Sequence, residues 1–399
     1  MVFETSSKRR WRVALATAGL LGMTLALVLG TAAYRAIAYP PIPPEASFAA
    51  TPTGELPVTR ESTPGIPAYD TGRLTRTAFF SDADPNSVAS LKRHVAELDA
   101  VFPLWFTFTG AGDTITESVD AAVLEFLRTS KALVLPRLAN IDAKDRWAGQ
   151  MFSTYLREPR NRSTLCAQIR QVLDRYDLPG VNVDIEAIRS SARDDYTAFI
   201  AELAEVLHAT GKYLTVDLPL AERAYDYGAL AAMADAVVIM GYDEHAGNED
   251  PGPVASQAWF EKGVRRILEQ VPREKLIVSL GQYSYDWNIT DQTSTSLGFG
   301  EALALAQEAK AHIVVGKPSW NGTFGYVDAQ GDKHEVWMLD AVTLWNQMGF
   351  LSSRGVYGVS LWRLGLEEPT IWNFYGSAGH VRAPSKSFLS LSGVGSRLW

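Results

Sequence analysis

The sequence predicts an α/β fold: a (β/α)8 TIM barrel with a small β-rich insertion between strand 7 and strand 8, preceded by an N-terminal transmembrane helix. Three observations predict it. From Tyr69 onward, short apolar runs alternate with segments of helical pattern, and strands alternating with helices imply a parallel sheet. Eight such units fill about 300 residues, which suits a barrel of this kind. Ahead of them, Lys8, Arg9, Arg10 and Arg12 precede a largely apolar run from Val13 to Ala33. A doubly wound open sheet is the alternative. It usually has fewer strands, and no Gly-rich phosphate loop follows the first strand here.

Taken in order, residues 1–12 form a basic segment that should stay cytoplasmic and so place the rest of the chain outside. Residues 13–34 give the expected signal-anchor, whose 21-residue apolar run matches the ~20 residues that span a bilayer as a helix. A cleavable signal peptide is the rival reading, with Ala36-Ile37-Ala38 as a small-residue cleavage site. Residues 35–68 are rich in Pro, Ser, Thr and Gly and read as an extended linker. The barrel is expected over 69–375, with strands at 76–81, 100–108, 132–139, 180–186, 213–219, 236–243, 275–283 and 356–364. Helical segments at 86–97, 118–129, 163–176, 194–209, 256–270, 300–310 and 339–350 lie between them. Residues 312–337 interrupt the alternation with Gly-rich turns and period-two strands, and give the insertion. Residues 376–399 are Ser/Gly-rich and read as a flexible tail.

Composition narrows the function. Of the 399 residues, 47% are hydrophobic and 21% charged, which is ordinary globular usage with ample length for a core. A net charge of −8 argues against nucleic acid as a partner. The single cysteine, Cys166, permits no disulfide framework and no Cys-based metal site. The six histidines show no metal-ligand spacing, so no metal and no cofactor are expected. The 11 Trp and 15 Tyr suit either a packed core or stacking on flat ligands such as sugar rings.

The stretch GVNVDIE, residues 180–186, carries the chemistry. Side chains on a strand alternate between faces, so Asn182, Asp184 and Glu186 share one face and Val181, Val183 and Ile185 the other. In a barrel the apolar set packs under the helices, and the polar set points inward toward the C-terminal mouth, where active sites of this fold sit. Two carboxylates so close in a sheltered place push one pKa upward, which gives a neutral acid beside an ionised partner. A pair of acids in structural hydrogen bonds is the competing interpretation.

The segment LPGVNVDIE resembles the DGxDxDxE strand-four signature of glycoside hydrolase family 18, the chitinase family. Gly180, Asp184 and Glu186 match, while Pro179 and Asn182 replace the first and middle Asp. IMGYDEH (239–245) resembles the family's strand-six Met-x-Tyr-Asp, and VSLWRLG (359–365) its strand-eight segment. DPGPVASQAWFEKGV and LGQYSYDW resemble the family-18-like domain of bacterial envelope proteins, some of them fused to polysaccharide deacetylase or glycosyltransferase domains.

The resemblance implies a substrate-assisted retaining hydrolysis of a β-linked N-acetylglucosamine polysaccharide, whether a chitin-like oligomer, peptidoglycan or an exported poly-N-acetylglucosamine. It implies that Glu186 protonates the glycosidic oxygen, Asp184 holds the acetamido N–H, and Tyr242 positions the acetamido carbonyl. Trp362 would lie beneath the reacting sugar, with Met240 and Asp243 lining its pocket. Asn182 can hydrogen-bond Asp184 but cannot take up charge, so the departure at that position bears on rate and pH profile.

Other residues give weaker signals. Asp217 in TVDLP could face the site or be a structural acid, and Arg137 in LPRLAN could pair with a barrel carboxylate. Tyr283, Tyr285 and Trp287 could line subsites or pack in the core, while Glu244 and His245 fit a surface loop. A non-catalytic glycan-binding barrel and an envelope scaffold are the rival functions. Family-18-like lectins lose the acid at the end of the motif, and Glu186 is present.

Overall fold

The computed structural model describes residues 74–376, apart from 113, 145, 248, 317 and 318. The expected basic segment, anchor, linker and tail lie outside the described residues. The transmembrane helix expected over 13–34 is corrected: among the described residues, no helix is long and apolar enough to cross a membrane. The longest, Pro159–Arg175, has 17 residues and carries Arg160, Arg162, Arg170 and Arg175, against the ~20 apolar residues that a span needs.

The barrel strands arise from the apolar runs. They are β1 (Thr75–Phe80), β2 (Ala100–Pro103) continued by β3 (Phe106–Thr107), a short flanking β4 (Thr116–Glu117), β5 (Leu133–Val134) continued by β6 (Arg137–Ala139), β7 (Gly180–Asp184), β8 (Tyr213–Pro219), β9 (Ala236–Met240) and β10 (Leu276–Gly281). The last barrel strand, β16 (Gly358–Trp362), follows the insertion and pairs in parallel with both β10 and β1. Parallel pairing of β1 with β2, β2 with β5, β3 with β6, β6 with β7, β7 with β8, β8 with β9 and β9 with β10 completes the ring. The second and third strands, expected as continuous at 100–108 and 132–139, are each broken near a proline, Pro103 and Pro136. Proline has no N–H for the ladder, so pairing stops and resumes beyond it.

Between the strands run α1 (Pro85–His94), α2 (Ala121–Arg128), α3 (Gly149–Tyr155), α4 (Pro159–Arg175), α5 (Arg193–His208), α6 (Tyr227–Met233) and α7 (Gln257–Ile267). Several begin at caps visible in the sequence: Asp84, Asp120, Asp226 and Ser256 accept from first-turn N–H groups. Val181, Val183 and Ile185 are fully buried among the same core residues as Leu173 of α4 and Phe199, Ile200 and Leu203 of α5. Inside the barrel, Phe79, Phe102, Leu135, Ala236, Val238 and Ile277 make an apolar plug, against which Trp362 packs. Gly180 is required where β7 meets β8, because an added Cβ would lie 2.3 Å from the Tyr213 carbonyl oxygen.

The insertion is an antiparallel sheet of β11 (Tyr283–Asn288), β12 (Thr293–Gly298), β13 (Val314–Val315), β14 (Gly322–Val327) and β15 (Lys333–Met338), with α8 (Phe299–Glu308) between β12 and β13. It therefore begins at the end of the seventh barrel strand, earlier than residue 312. β15 also pairs with β11, YSYDWN, whose alternation is masked by its many aromatic residues. The helices α9 (Ala341–Ser353) and α10 (Trp372–Tyr375) close the described chain, and the Tyr375 hydroxyl donates to the Thr77 and Val359 carbonyls across the β1–β16 seam.

Glu368 is buried at the start of α9, where its carboxylate accepts the Ala341 N–H at 2.7 Å and the Thr370 hydroxyl at 2.8 Å. Burial, and then the neighbouring Asp340 charge, raise its pKa from 4.5 to about 7. A raised folded-state pKa means the native chain holds a proton that the unfolded chain releases, so stability is lost as pH rises from about 4.5 through about 7. We expect Glu368→Gln to flatten the fall of the thermal midpoint over that window, measured by circular dichroism at successive pH values.

Candidate active site

At the mouth of the barrel, β7 delivers Asn182 and Asp184, and the chain just beyond it delivers Glu186. Asn182 and Asp184 are buried, whereas Glu186 keeps a window to solvent although its carboxyl is surrounded largely by protein. The backbone around Glu186 is fixed from three sides. The Asn140 side chain accepts the Glu186 N–H and donates to the Glu186 carbonyl, both at 2.9 Å. The Tyr225 hydroxyl donates to the Ile185 carbonyl at 2.8 Å. Gly149 lets α3 approach so closely that an added Cβ would lie 1.9 Å from the Ala187 carbonyl oxygen.

Asp184 pairs with Arg137, whose Nε donates to Oδ2 at 2.5 Å with both side chains buried. The guanidinium also lies 5.2 Å from the Trp362 ring centre and 5.3 Å from that of Trp147, which suits a cation held over aromatic faces. The second oxygen of Asp184 and the Oδ1 of Asn182 are buried with no hydrogen-bond partner among the described residues. Asn182 does not bond Asp184 as the sequence suggested; its Nδ2 donates to Thr215 Oγ1 at 2.9 Å and to Asp217 Oδ1 at 2.8 Å.

These contacts set the electrostatics. Burial, then the Asp184 charge, push the Glu186 carboxyl well above the ordinary glutamate range, with Arg137 opposing. The same two causes raise Asp217, opposed by the Asn182 hydrogen bond and by Arg137. The result is an ion pair flanked by two carboxyls that favour their neutral forms.

The opposite wall is aromatic. The Tyr242 ring stacks on Trp362 at 6.3 Å and meets Tyr283 edge-on at 5.9 Å. Burial, followed by the Asp184, Asp217, Glu186 and Asp243 charges, keeps the Tyr242 hydroxyl protonated. Asp243 reaches solvent at the rim yet has protein around its carboxylate; desolvation raises its pKa, opposed by hydroxyl hydrogen bonds from Tyr283 and from Tyr285, the latter at 3.1 Å. Its left-handed backbone, φ 61°, is an uncommon conformation for a residue with a Cβ. Met240 packs against this same aromatic group.

The structure thus brings Glu186, Asp184, Asn182, Asp217, Tyr242, Met240, Asp243, Trp362 and Tyr285 to one end of the barrel. Trp287 is buried within the inserted sheet. Glu244 accepts the Ser256 N–H at 2.7 Å and the His245 ring contacts the Asp250 carbonyl, so both shape a loop. Asn140, Tyr225 and Trp147 were not singled out from the sequence. The signal available for Asn140 was a polar residue directly after an apolar strand, in LPRLAN. Tyr225 and Trp147 lie in loops whose approach to the strand-four segment has no local pattern.

Removing one partner of a buried ion pair leaves an uncompensated charge and costs about 3–5 kcal/mol. We expect Arg137→Leu to lose stability of that order in urea unfolding, and Arg137→Lys to recover only part, because a point charge cannot reproduce the planar guanidinium between two indoles.

The profile described as "Glycosyl hydrolases family 18" matches residues 141–367. The chain is 26% identical over 307 residues to the uncharacterized glycosylase YvbX of Bacillus subtilis, covering 74% of this chain and 89% of that one. The crystal structure of a chitinase from Chromobacterium violaceum superposes with a TM-score of 0.69 at 28% identity, covering 75% of this chain and 96% of the chitinase. The spore cortex-lytic enzyme SleL of Bacillus cereus shares the fold, with a TM-score of 0.69 at 20% identity over 76% of this chain and 73% of SleL.

Proposed function

The chain belongs to glycosyl hydrolases family 18 and is a glycosidase, and on that premise we propose that it cleaves a β-linked N-acetylglucosamine glycan by a substrate-assisted retaining mechanism. The observation that carries this reading is the pairing of a neutral acid with a fixed anion: Glu186 held above the ordinary glutamate range beside an Asp184 tied to Arg137. A chitinase and a cortex-lytic enzyme among the similar structures support the 2-acetamido sugar as the shared element of the substrate.

In this reading Glu186 gives its proton to the glycosidic oxygen as the bond breaks. The substrate's acetamido oxygen attacks the anomeric carbon and closes an oxazolinium ring. The unpartnered oxygen of Asp184 is suited to accept the acetamido N–H and to offset the positive charge that develops there. The Tyr242 hydroxyl donates to the acetamido carbonyl, and the sugar ring rests on Trp362. Glu186, now ionised, takes a proton from the water that opens the oxazolinium, which returns the acid to its starting form.

We expect the full chain to release reducing ends from N-acetylglucosamine oligomers or peptidoglycan glycan, and Glu186→Gln to lower kcat by about 10²–10⁴-fold. De-N-acetylated oligomers should not be cleaved, because the nucleophile is gone. Since the reactive form of Glu186 is protonated, kcat/KM should hold above the ordinary glutamate pKa and fall as pH rises through the elevated one. Equal turnover by wild type and Glu186→Gln would refute the reading, and glycan binding without wild-type turnover would support a lectin.

A further inference from the structure

Strands β7 and β8 pair so that Asn182 lies opposite Thr215, and Asp217, two residues further along the same face, completes a triangle with them. The Asn182 amide spends both its hydrogens here, one on Thr215 and one on Asp217. All three side chains are at most 5% exposed, so the contact is sealed inside the barrel. The family's strand-four pattern carries a carboxyl at position 182 and this chain an amide, yet a carboxyl stands one hydrogen bond away on the next strand. Amide and carboxyl are nearly the same shape, and a threonine hydroxyl can donate as well as accept. The arrangement is therefore one that survives reversal: an Asn at 217 could donate to an Asp at 182, with Thr215 turning its proton toward the new carboxylate.

We propose that Asp217 stands in, across the β7–β8 hydrogen bond, for the carboxyl missing from position 182, and acts as a positioning residue for Asp184. The groups that face Asp217 are Asp184 and Glu186 from the β7 segment, Arg137 from β6, Tyr196 from α5 and Tyr242 from the loop after β9. With Arg137 committed to Asp184, an ionised Asp217 would be opposed by two neighbouring carboxyls. Its neutral form leaves Asp184 as the ionised partner, and Asn182 fixes where its carboxyl lies. The inference uses the hydrolase reading for its kinetic test but not for its stability test.

The experiment compares wild type, Asn182→Asp, Asp217→Asn and the double exchange, each as the full chain. The substrate is an N-acetylglucosamine oligomer, with Glu186→Gln as the blank. Both kcat against pH and thermal midpoints at acid and alkaline pH are measured. Each single variant should lose about tenfold or more in kcat, whereas the double should return to within about threefold of wild type and recover its pH profile; such non-additivity marks residues in one network. The midpoint of Asn182→Asp should fall more at alkaline than at acid pH, because it adds a fourth carboxyl beside Asp184, Glu186 and Asp217, and the double should regain the wild-type pH dependence. A double variant whose losses equal the sum of the singles in free energy, by either readout, overturns the exchange. Should wild type show no turnover, the hydrolase reading fails and the midpoint cycle alone decides between exchange and simple additivity.

Discussion

The Arg137–Asp184 ion pair is the interaction on which the rest of the site depends. A carboxylate buried in a barrel is costly unless it is paired, and Arg137 provides the pairing from the neighbouring strand. With that charge settled, Glu186 and Asp217 find themselves close to an anion and shielded from water, so both resist ionisation. Burial, and then the Asp184 charge that Arg137 holds in place, thus favour the protonated acid. The guanidinium is in turn placed by its contacts with Trp147 and Trp362, which links the acid cluster to the aromatic surface proposed to carry the sugar.

Positioning is achieved by backbone contacts as much as by side chains. Glu186 follows the end of β7, where a chain end would otherwise be free to splay. Asn140 holds its N–H and carbonyl, Tyr225 holds the preceding carbonyl, and Gly149 admits α3 close to the next peptide. Rigid support of this kind lets a donated proton reach a defined atom and is worth orders of magnitude in rate when lost. The apolar alternate residues of the same strand, Val181, Val183 and Ile185, secure it against α4 and α5 from the other side. One strand therefore joins the helical core to the chemistry.

Much of this was legible in GVNVDIE, because period-two alternation encodes two faces directly. The barrel alternation could be read for the same reason, whereas MGYD and SLW were marked by their resemblance to the family; the structure sets them with the strand-four acids because each lies at the end of an apolar run, and every such end reaches the same rim. What the sequence hid was lateral. Asn182 was expected to serve Asp184, its neighbour two residues along the chain, but its hydrogens go sideways to Thr215 and Asp217, and such pairings depend on register between strands. Pro103 and Pro136 divide strands that apolar content alone presents as continuous. The inserted sheet starts at Tyr283, where aromatic residues conceal the alternation, and the membrane-spanning helix does not form part of the described fold.

Burial, reinforced by the Asp184 charge, keeps Glu186 neutral. The direct measurement is a titration of side-chain carboxyls by carbon-13 NMR on glutamate-labelled protein, with Glu186→Gln assigning the signal. The Glu186 carboxyl should titrate well above the ordinary 4.5 and move down when Asp184 is replaced by Asn, as removal of a neighbouring negative charge requires. A Glu186 signal that titrates near 4.5, or one indifferent to Asp184→Asn, would contradict it.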